Sequence, residues 1–474
     1  MSSRSHVHRR AAVSRVAALA LLVCVPPAAA GQGAPARNRL GAVVDSLVDA
    51  AMRARPSAGV TVAVLRGRDT LVLRGYGMAD VENHVPAGAQ TAYRIGSVTK
   101  QFTASAVLRL VEQGRIGLDD EVTRYLADAP VQGHRVTIRQ LLNHTSGMPS
   151  YTDAAARWRP RWGEDLSPAG VLAIAAADSF NFAPGTAFRY NNSGYVLLGM
   201  LLEKVTGQPY EATVRALAAE RGLPSVQYCW TAPLIANRAR GYEAAGAVLV
   251  NAPYLSMSQP YAAGGLCATA GDLARWAVDL GQGRVVQPRT FAQMTTPTQL
   301  AGGQTEPYGF ALVGEVVDGH RRAWHNGGIH GFSADLAYYP DDSVSVAVLA
   351  NTGNTDVTSL ARNIARAALG VPLPGSTAVR DVPLTAEDRA RFAGTYALHL
   401  PNGQELPVRI FEREGVLWVQ AEGQEGSALR YQGNGEFVVA ADTNARFVFD
   451  RSTSPSPSLT LMQGGMTLTG TRRP

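Results

Sequence analysis

The stretch from Tyr93 to Lys100 reads Tyr-Arg-Ile-Gly-Ser-Val-Thr-Lys and places a serine, Ser97, three residues before a lysine. Only two of the 44 lysine and arginine residues in the chain are lysines. Arginine serves for surface charge and carboxylate pairing, but it stays protonated, whereas a desolvated lysine can lose its proton. A lysine at this position therefore indicates a general base beside a nucleophilic serine.

Apolar residues recur with helical spacing from Val98 to Gln113, and Gly114 ends the pattern. Residues three apart share a helix face, so the Lys100 amine can reach the Ser97 hydroxyl. The N-terminus of a helix disfavours a protonated amine and favours an oxyanion. The alternative is an N-cap serine followed by a surface lysine, since a Ser-x-x-Lys tetrapeptide by itself is a weak signal.

Two further segments carry polar groups suited to the same chemistry. Tyr190 and Asn192 lie before a predicted helix and supply a phenol for proton transfer and an amide for orienting substrate and lysine, or else cap that helix. His325, Gly327 and Gly328 precede a predicted strand. The two glycines allow a substrate to approach the backbone closely, and a backbone amide at the edge of the sheet can serve as an oxyanion donor. His325 is either a proton-transfer or electrostatic group or a satisfied turn histidine.

The bulk composition indicates a globular protein. The chain has 474 residues, 46% of them hydrophobic and 17% charged, which is enough for two or three domains. Four arginines near the N-terminus contribute most of the formal net charge of +6, and no basic cluster alternates with aromatic residues. We therefore expect no nucleic-acid partner.

The first 30 residues are typical of a secretory signal peptide. A basic start leads into an apolar run from Val16 to Val25, and small residues follow up to Ala30, where cleavage is expected. The run is too short for a permanent membrane span, and no other segment has the roughly 20 apolar residues of one. The bulky residue before Cys24 argues against a lipoprotein. The sequence therefore predicts a periplasmic or secreted protein.

A polar tether is expected over residues 31–37, followed by one large domain over 38–370. Strand patterns at 58–65 and 70–74, and again at 333–339 and 343–350, bracket a series of helical patterns. This order predicts an α/β fold in which one sheet is flanked by helices and joined by a mostly helical part.

A linker rich in Pro and Gly is expected over 371–387, and the pattern then changes to short strands. About eight of them occupy residues 388–474, with Gly, Asn and Asp between them. Such a series predicts a small all-β, barrel-like domain.

Taken together, the motifs resemble those of the serine β-lactamase and penicillin-binding-protein-like hydrolases. The branch in question contains class C β-lactamases, D-Ala-D-Ala carboxypeptidases and esterases. The motifs occur in the expected order as Ser-Val-Thr-Lys at 97–100, Tyr-Asn-Asn at 190–192 and His-Asn-Gly at 325–327. Supporting stretches lie at 138–149, 182–185 and 264–273. The resemblance covers about residues 38–370 and is much weaker for the C-terminal strands.

This resemblance implies a β-lactamase-like sandwich with the site between the sheet and the helical part. It implies acyl transfer through Ser97, proton transfers shared by Lys100 and Tyr190, and orientation by Asn192. The backbone amides of Ser97 and Gly328 would form the oxyanion hole. Which of the two proton carriers acts first stays open. No cofactor or metal is implied, and the substrate would be a small ester, amide or peptide, with cell-wall peptides among the candidates.

The third motif departs from that of class C β-lactamases, which carry Lys-Thr-Gly there; this chain has no such tripeptide. His325, largely neutral at pH 7, stands where a fixed cation would bind a β-lactam carboxylate. We therefore expect weak β-lactamase activity and favour an esterase, D-amino-acid peptidase or amidase. The alternatives are a β-lactamase or D-Ala-D-Ala carboxypeptidase, and a non-catalytic binding protein on the same fold. His144 and Ser146 are interpreted as loop-stabilising.

Other chemistries have less support. Cys229 and Cys267 can pair in an oxidising compartment or remain as buried thiols. His320, His325 and His330 recur at five-residue intervals near strands and turns, a spacing that does not converge metal ligands. The absence of Gly-x-Ser-x-Gly argues against an α/β-hydrolase.

Overall fold

The computed structural model describes residues 33–374, 382–400, 405–422, 424, 426–440, 442–463 and 466–473. The predicted signal peptide lies outside these ranges. None of the helices described is both long and apolar enough to cross a membrane. Helices and strands are numbered along the chain. The helices are α1 Gly33–Ala54, α2 Thr99–Glu112, α3 Ile138–Leu142, α4 Ala155–Trp158, α5 Pro168–Ala173, α6 Asn192–Thr206, α7 Tyr210–Glu220, α8 Tyr261–Gly264, α9 Ala270–Gly281, α10 Pro288–Thr295, α11 Val357–Leu369 and α12 Ala386–Phe392.

The larger domain contains a seven-stranded antiparallel sheet. The strands before residue 370 are β1 Gly59–Arg66, β2 Asp69–Asp80, β3 Val85–Pro86, β4 Tyr93–Arg94, β5 Gln227–Tyr228, β6 Tyr242–Ala245, β7 Val248–Asn251, β8 Leu266–Ala268, β9 Thr298–Gln299, β10 Thr305–Glu306, β11 Val313–Val317, β12 His320–Ile329, β13 Phe332–Tyr339 and β14 Val344–Ala350. The sheet order is β11-β12-β13-β14-β1-β2-β3, so the last strand of the domain pairs with the first.

Both faces of this sheet are covered, as the residues of β1 show. Val60, Val62 and Val64 belong to a buried cluster with residues of α1 and α11, while Ala63 and Leu65 belong to the cluster formed with the helical part. Side chains alternate between the two faces of a strand, so a continuous apolar strand is stable only between two helical layers. The predicted antiparallel sheet flanked by helices is confirmed.

Helix α1 begins at Gly33, so the polar tether predicted over 31–37 is wrong from Gly33 onward. The N-terminal part of this helix begins with Gly, Ala and Pro and carries no periodic apolar signal. Farther along, Val44 and Val48 are completely buried against the sheet. Tertiary packing of one apolar face stabilises helices that their local sequence does not indicate.

The C-terminal residues form a closed eight-stranded barrel, which confirms the predicted barrel-like domain. Its strands are β15 Gly394–His399, β16 Glu405–Arg413, β17 Val416–Ala421, β18 Ser427–Gly433, β19 Glu436–Val439, β20 Asp442–Phe449, β21 Ser458–Gln463 and β22 Met466–Arg472. Helix α12 precedes the barrel, so the predicted linker ends before Ala386 and the first strand of the C-terminal domain starts at Gly394. Phe392 is completely buried in the barrel core, which explains why this segment folds with the barrel.

The His-Asn-Gly motif lies within β12, not in a loop before a strand as predicted. Ser97 lies in a 3-10 turn, Gly96–Val98, that leads into α2. The turn packs on β12 so closely that a Cβ atom added to Gly327 would stand 2.1 Å from the Ile95 carbonyl oxygen and 3.0 Å from the Ser97 nitrogen. Glycine at position 327 is therefore what allows the serine-bearing turn to lie against the sheet.

We expect Gly327→Ala to lower the free energy of unfolding by about 1–3 kcal/mol, because the added methyl group meets backbone that cannot move aside. Gly328→Ala is the matched control, since a Cβ atom there has no neighbour within 4 Å. Chemical denaturation of both variants checks the expectation. Equal stability of the two would contradict the proposed packing constraint.

Candidate active site

The Lys100 amine lies at the junction of three separate elements. Its Nζ atom is 3.2 Å from the Ser97 hydroxyl oxygen, 2.8 Å from Asn192 Oδ1 and 2.8 Å from the Ala263 carbonyl oxygen. The lysine is completely buried. The structure therefore brings together the serine, lysine and asparagine singled out in the sequence. The Ala263 carbonyl was missed, because a backbone acceptor leaves no signal in the sequence.

The protonation state of Lys100 follows from this burial. Desolvation lowers the pKa of the Lys100 amine well below its ordinary value. The position of the residue in the first turn of α2 acts in the same direction. A neutral amine has two N–H groups and one lone pair. The oxygens of Asn192 and Ala263 can accept both N–H groups, which leaves the lone pair for the Ser97 hydroxyl.

Asn192 is held in one orientation by Ser150 and Thr152, which directly follow the stretch at 138–149 that supports the family resemblance. Its Nδ2 donates to Thr152 Oγ1 at 3.1 Å, and its backbone N–H donates to Ser150 Oγ at 3.1 Å. The neighbouring Asn191 has a different task, since its Oδ1 caps α6 by accepting from the Gly194 N–H. Ser150 and Thr152 were missed in the sequence, where nothing links them to position 192.

Tyr190 lies beside this amine, with its ring centroid 4.8 Å from Lys100 Nζ. Its hydroxyl is buried and makes no hydrogen bond of good geometry to any described residue. Burial raises the pKa of the Tyr190 phenol, and the nearby Ser97 hydroxyl opposes this only in part. The phenol therefore keeps its proton at neutral pH and is available as a donor.

His144 stabilises the loop behind Tyr190, in agreement with its interpretation from sequence. Its Nδ1 accepts from the Asn191 N–H at 3.1 Å, and its carbonyl oxygen accepts from the Arg189 N–H at 3.1 Å. Its ring lies 4.3 Å from the Tyr190 ring, centroid to centroid. Burial, followed by the proximity of Lys100, lowers the pKa of His144 well below its ordinary value. The imidazole is therefore neutral and fixes the chain on both sides of Tyr190.

His325 lies beside Tyr190, with ring centroids 6.0 Å apart. It is buried, and its Nε2 lies 2.9 Å from the Tyr308 hydroxyl. Burial and the proximity of Lys100 lower its pKa to about 4, so it is neutral at pH 7. Along β12, positions 325 and 327 are buried while 326 and 328 are exposed. Because side chains alternate along a strand, His325 and Gly327 face the interior and Gly328 faces outward.

Ser97, Asn192 and Gly328 line a cavity of about 370 Å³, but His325 and Gly327 are not among the described residues that line it. Lys100 and Tyr190 are not among those lining residues either, so the assignment of His325 and Gly327 as substrate-orienting residues stays a prediction. Gly327 packs on the serine turn, and His325 bonds to Tyr308 with its ring 6.0 Å from the Tyr190 ring, centroid to centroid. The remaining walls are largely apolar or aromatic. They include Tyr151, Trp158, Leu255, Ile329 and Phe332, together with Glu243 and His330.

The open question of the two cysteines is decided by the structure, in which Cys229 and Cys267 form a disulfide with a Cα–Cα distance of 5.0 Å. Cys267 lies on β8, opposite Arg94 on β4, the strand that runs into the serine turn. The histidines at five-residue intervals have separate surroundings: His320 Nδ1 lies 2.7 Å from Asp342, whereas the His330 ring packs on Trp162.

Comparison with known proteins places this geometry in a family. Residues 44–369 match the family model described as Beta-lactamase. Penicillin-binding protein 4* of Bacillus subtilis is 27% identical over 71% of this chain and 79% of its own length. D-aminopeptidase of Brucella canis is 28% identical over 66% of this chain and 60% of its own length.

A D-stereospecific amidohydrolase from Streptomyces has a similar solved structure, with a TM-score of 0.59 and 29% identity over 68% of this chain and 97% of that one. The chain spans only 60% to 65% of the length of several curated relatives it matches, the Brucella protein among them. With a family match that covers most of its length and contains the serine, lysine and tyrosine of the site, the chain belongs to the β-lactamase family.

Proposed function

We propose that the protein hydrolyses amide or ester bonds of small substrates through an acyl-enzyme on Ser97. The observation that carries this proposal is the buried Lys100 amine, whose two N–H groups have acceptors and whose lone pair is left for the Ser97 hydroxyl. A nucleophilic serine needs an adjacent base that is neutral at working pH, and this arrangement supplies one.

In the proposed acylation, Lys100 accepts the Ser97 proton while the serine oxygen bonds to the substrate carbonyl carbon. When the tetrahedral intermediate collapses, the bond to the leaving amine or alcohol breaks, and Tyr190 protonates that group. The Lys100 ammonium then returns a proton to the Tyr190 oxygen. A phenol whose pKa is raised by burial suits the role of donor better than that of first acceptor. In deacylation, a water oxygen bonds to the acyl carbonyl carbon and its proton passes through Tyr190 to Lys100. The bond to the Ser97 oxygen then breaks, and Lys100 returns a proton to that oxygen as the acid is released.

The oxyanion of the intermediate would be held by the backbone amides of Ser97 and Gly328. Both residues line the cavity, and the turn and strand that carry them are in close contact: a Cβ atom added to Gly96 would stand 2.9 Å from the Gly328 nitrogen. Backbone donors fixed in this way need little reorganisation during the reaction.

The substrate we favour is an amide, ester or peptide of a D-amino acid. The D-aminopeptidase and the D-stereospecific amidohydrolase similar to this chain support it. Efficient hydrolysis of β-lactams, or carboxypeptidase action on cell-wall peptides, is less favoured. His325 is neutral and buried where such enzymes of the class C type carry a lysine. A binding protein without activity is disfavoured by the complete set of interactions around Lys100.

We also propose that the protein is exported, with cleavage of the signal peptide before Gly31. The disulfide between Cys229 and Cys267 supports this, because such bonds persist mainly in oxidising compartments. The intact mass of the exported chain tests the cleavage site.

A fluorophosphonate probe should label the mature protein at Ser97, and mass spectrometry of the digested adduct identifies the site. Ser97→Ala should lose both labelling and hydrolysis, because no other nucleophile lies in this geometry among the residues described. Ser105→Ala, a buried serine on α2, serves as the control. Undiminished hydrolysis by the Ser97 variant would refute the mechanism.

Lys100→Arg should reduce kcat/KM by about 100-fold or more, since a guanidinium cannot accept the serine proton. In the wild type, kcat/KM should fall in acid as Lys100 becomes protonated, with an apparent pKa well below that of a free lysine. His325, with its pKa lowered to about 4, is neutral through most of that range. Near-normal activity of a folded Arg variant would contradict the role of Lys100 as base; circular dichroism checks folding.

Nitrocefin should be hydrolysed at least about 100-fold less efficiently than a D-amino-acid p-nitroanilide, because none of the described residues that line the cavity offers a fixed cation to a β-lactam carboxylate. Steady-state kcat/KM for the two compounds checks this expectation. Comparable values would favour the β-lactamase alternative over the proposed D-specific hydrolase.

A further inference from the structure

The cavity that contains Ser97 also contains a carboxylate for which the proposed reaction has no use. Glu243, on β6, lines this cavity together with Ser97 and Gly328. We propose that Glu243 binds a cationic amine of the substrate and so selects substrates with a free ammonium group. The inference deepens the proposed function, on which it rests for the nature of the reaction, and concerns only what the cavity recognises.

The charge balance of the cavity points to a cation. Among the described residues that line it, Glu243 alone carries a formal charge at neutral pH. No lysine, arginine or histidine in the described part of the chain lies within ion-pair distance of it. Burial lowers the pKa of the neighbouring His330, and the Glu243 carboxylate opposes this only in part. Burial also lowers the pKa of Lys100. A carboxylate facing a cavity with no cation of its own is complementary to a positively charged ligand.

The carboxylate is also held in a fixed position. One oxygen, Oε1, accepts the Gly331 N–H at 2.9 Å. The backbone of Gly353 packs against the other, since a Cβ atom added there would stand 2.2 Å from Oε2. A group positioned in this way loses little side-chain freedom on binding, and charge-assisted hydrogen bonds to ammonium groups are among the stronger ones.

The rest of the cavity suits an amine attached to an apolar group. Trp158 and Tyr151 form an edge-to-face pair with ring centroids 5.3 Å apart, and Leu255, Ile329 and Phe332 add apolar surface. Aromatic faces attract cations as well as apolar groups. An amino-acid amide with an aromatic side chain therefore fits the chemistry of the walls, and its ammonium can come from the α-amine or from a side chain.

The test measures binding without turnover. In the Ser97→Ala chain, isothermal titration calorimetry compares D-phenylalaninamide, N-acetyl-D-phenylalaninamide and Nα-acetyl-D-lysinamide. Of these, the first carries an α-ammonium, the second is neutral and the third carries a side-chain ammonium. We expect at least one cationic amide to bind more tightly than the neutral one. Glu243→Gln should weaken the binding of that cationic amide by about tenfold or more and leave the affinity for the neutral amide unchanged.

Two control variants separate recognition from folding. The test variant Glu243→Gln itself keeps an oxygen that can accept the Gly331 N–H, so this contact is preserved while the charge is lost. Glu121→Gln makes the same change in net charge at a surface ion pair with Arg135 and should leave all three affinities unchanged. Glu243→Asp should recover part of the preference for the cationic amide. The cationic amide that responds identifies which amine is bound.

The inference is overturned if neither cationic amide binds more tightly than the neutral one, or if Glu243→Gln weakens all three equally, which would indicate a purely structural carboxylate. Hydrolysis is scored separately in the chain with Ser97 intact. Charge-dependent binding without hydrolysis would refute the proposed function and leave the Glu243 site standing. Hydrolysis through Ser97 without charge-dependent binding would refute the Glu243 site and leave the proposed function standing.

Discussion

The removal of the Lys100 amine from water is the constraint on which the rest of the site depends. Burial of an ammonium ion costs several kcal/mol even when it is paired, so the neutral form is favoured. The neutral amine still needs partners for its N–H groups, and α6 and α8 supply them through Asn192 and Ala263. Helices α6 and α8 therefore have to pack against α2 before Lys100 can serve as the proposed base.

A second constraint is the contact between the serine turn and the edge of the sheet. Gly327 lets the backbone of Ile95 approach β12, and the alternation of the strand then leaves Gly328 facing the cavity. The same alternation turns His325 inward, toward Tyr308. One glycine thus holds the serine turn close to Gly328, whose backbone amide is the proposed oxyanion donor.

Much of the fold could be predicted because its signals are local. The mostly apolar sequence of β1 and the helical periodicity of α2 follow directly from which of their residues are buried. Helices α1 and α12 were missed because their stability comes from a few buried residues, such as Val48 and Phe392, that pack against distant strands. Their polar flanks resemble linkers when the packing partner is unknown.

The sequence by itself determined the contact between Ser97 and Lys100, because these residues are three apart and one helical turn brings them together. Tertiary structure decided everything that joins distant segments. It placed Asn192 and Ala263 on the amine across 92 and 163 residues, set His325 against Tyr308 and brought Glu243 to the cavity. Hydrogen bonding within one helical turn follows from local geometry, whereas the direction of a side chain in a cavity depends on how whole layers pack.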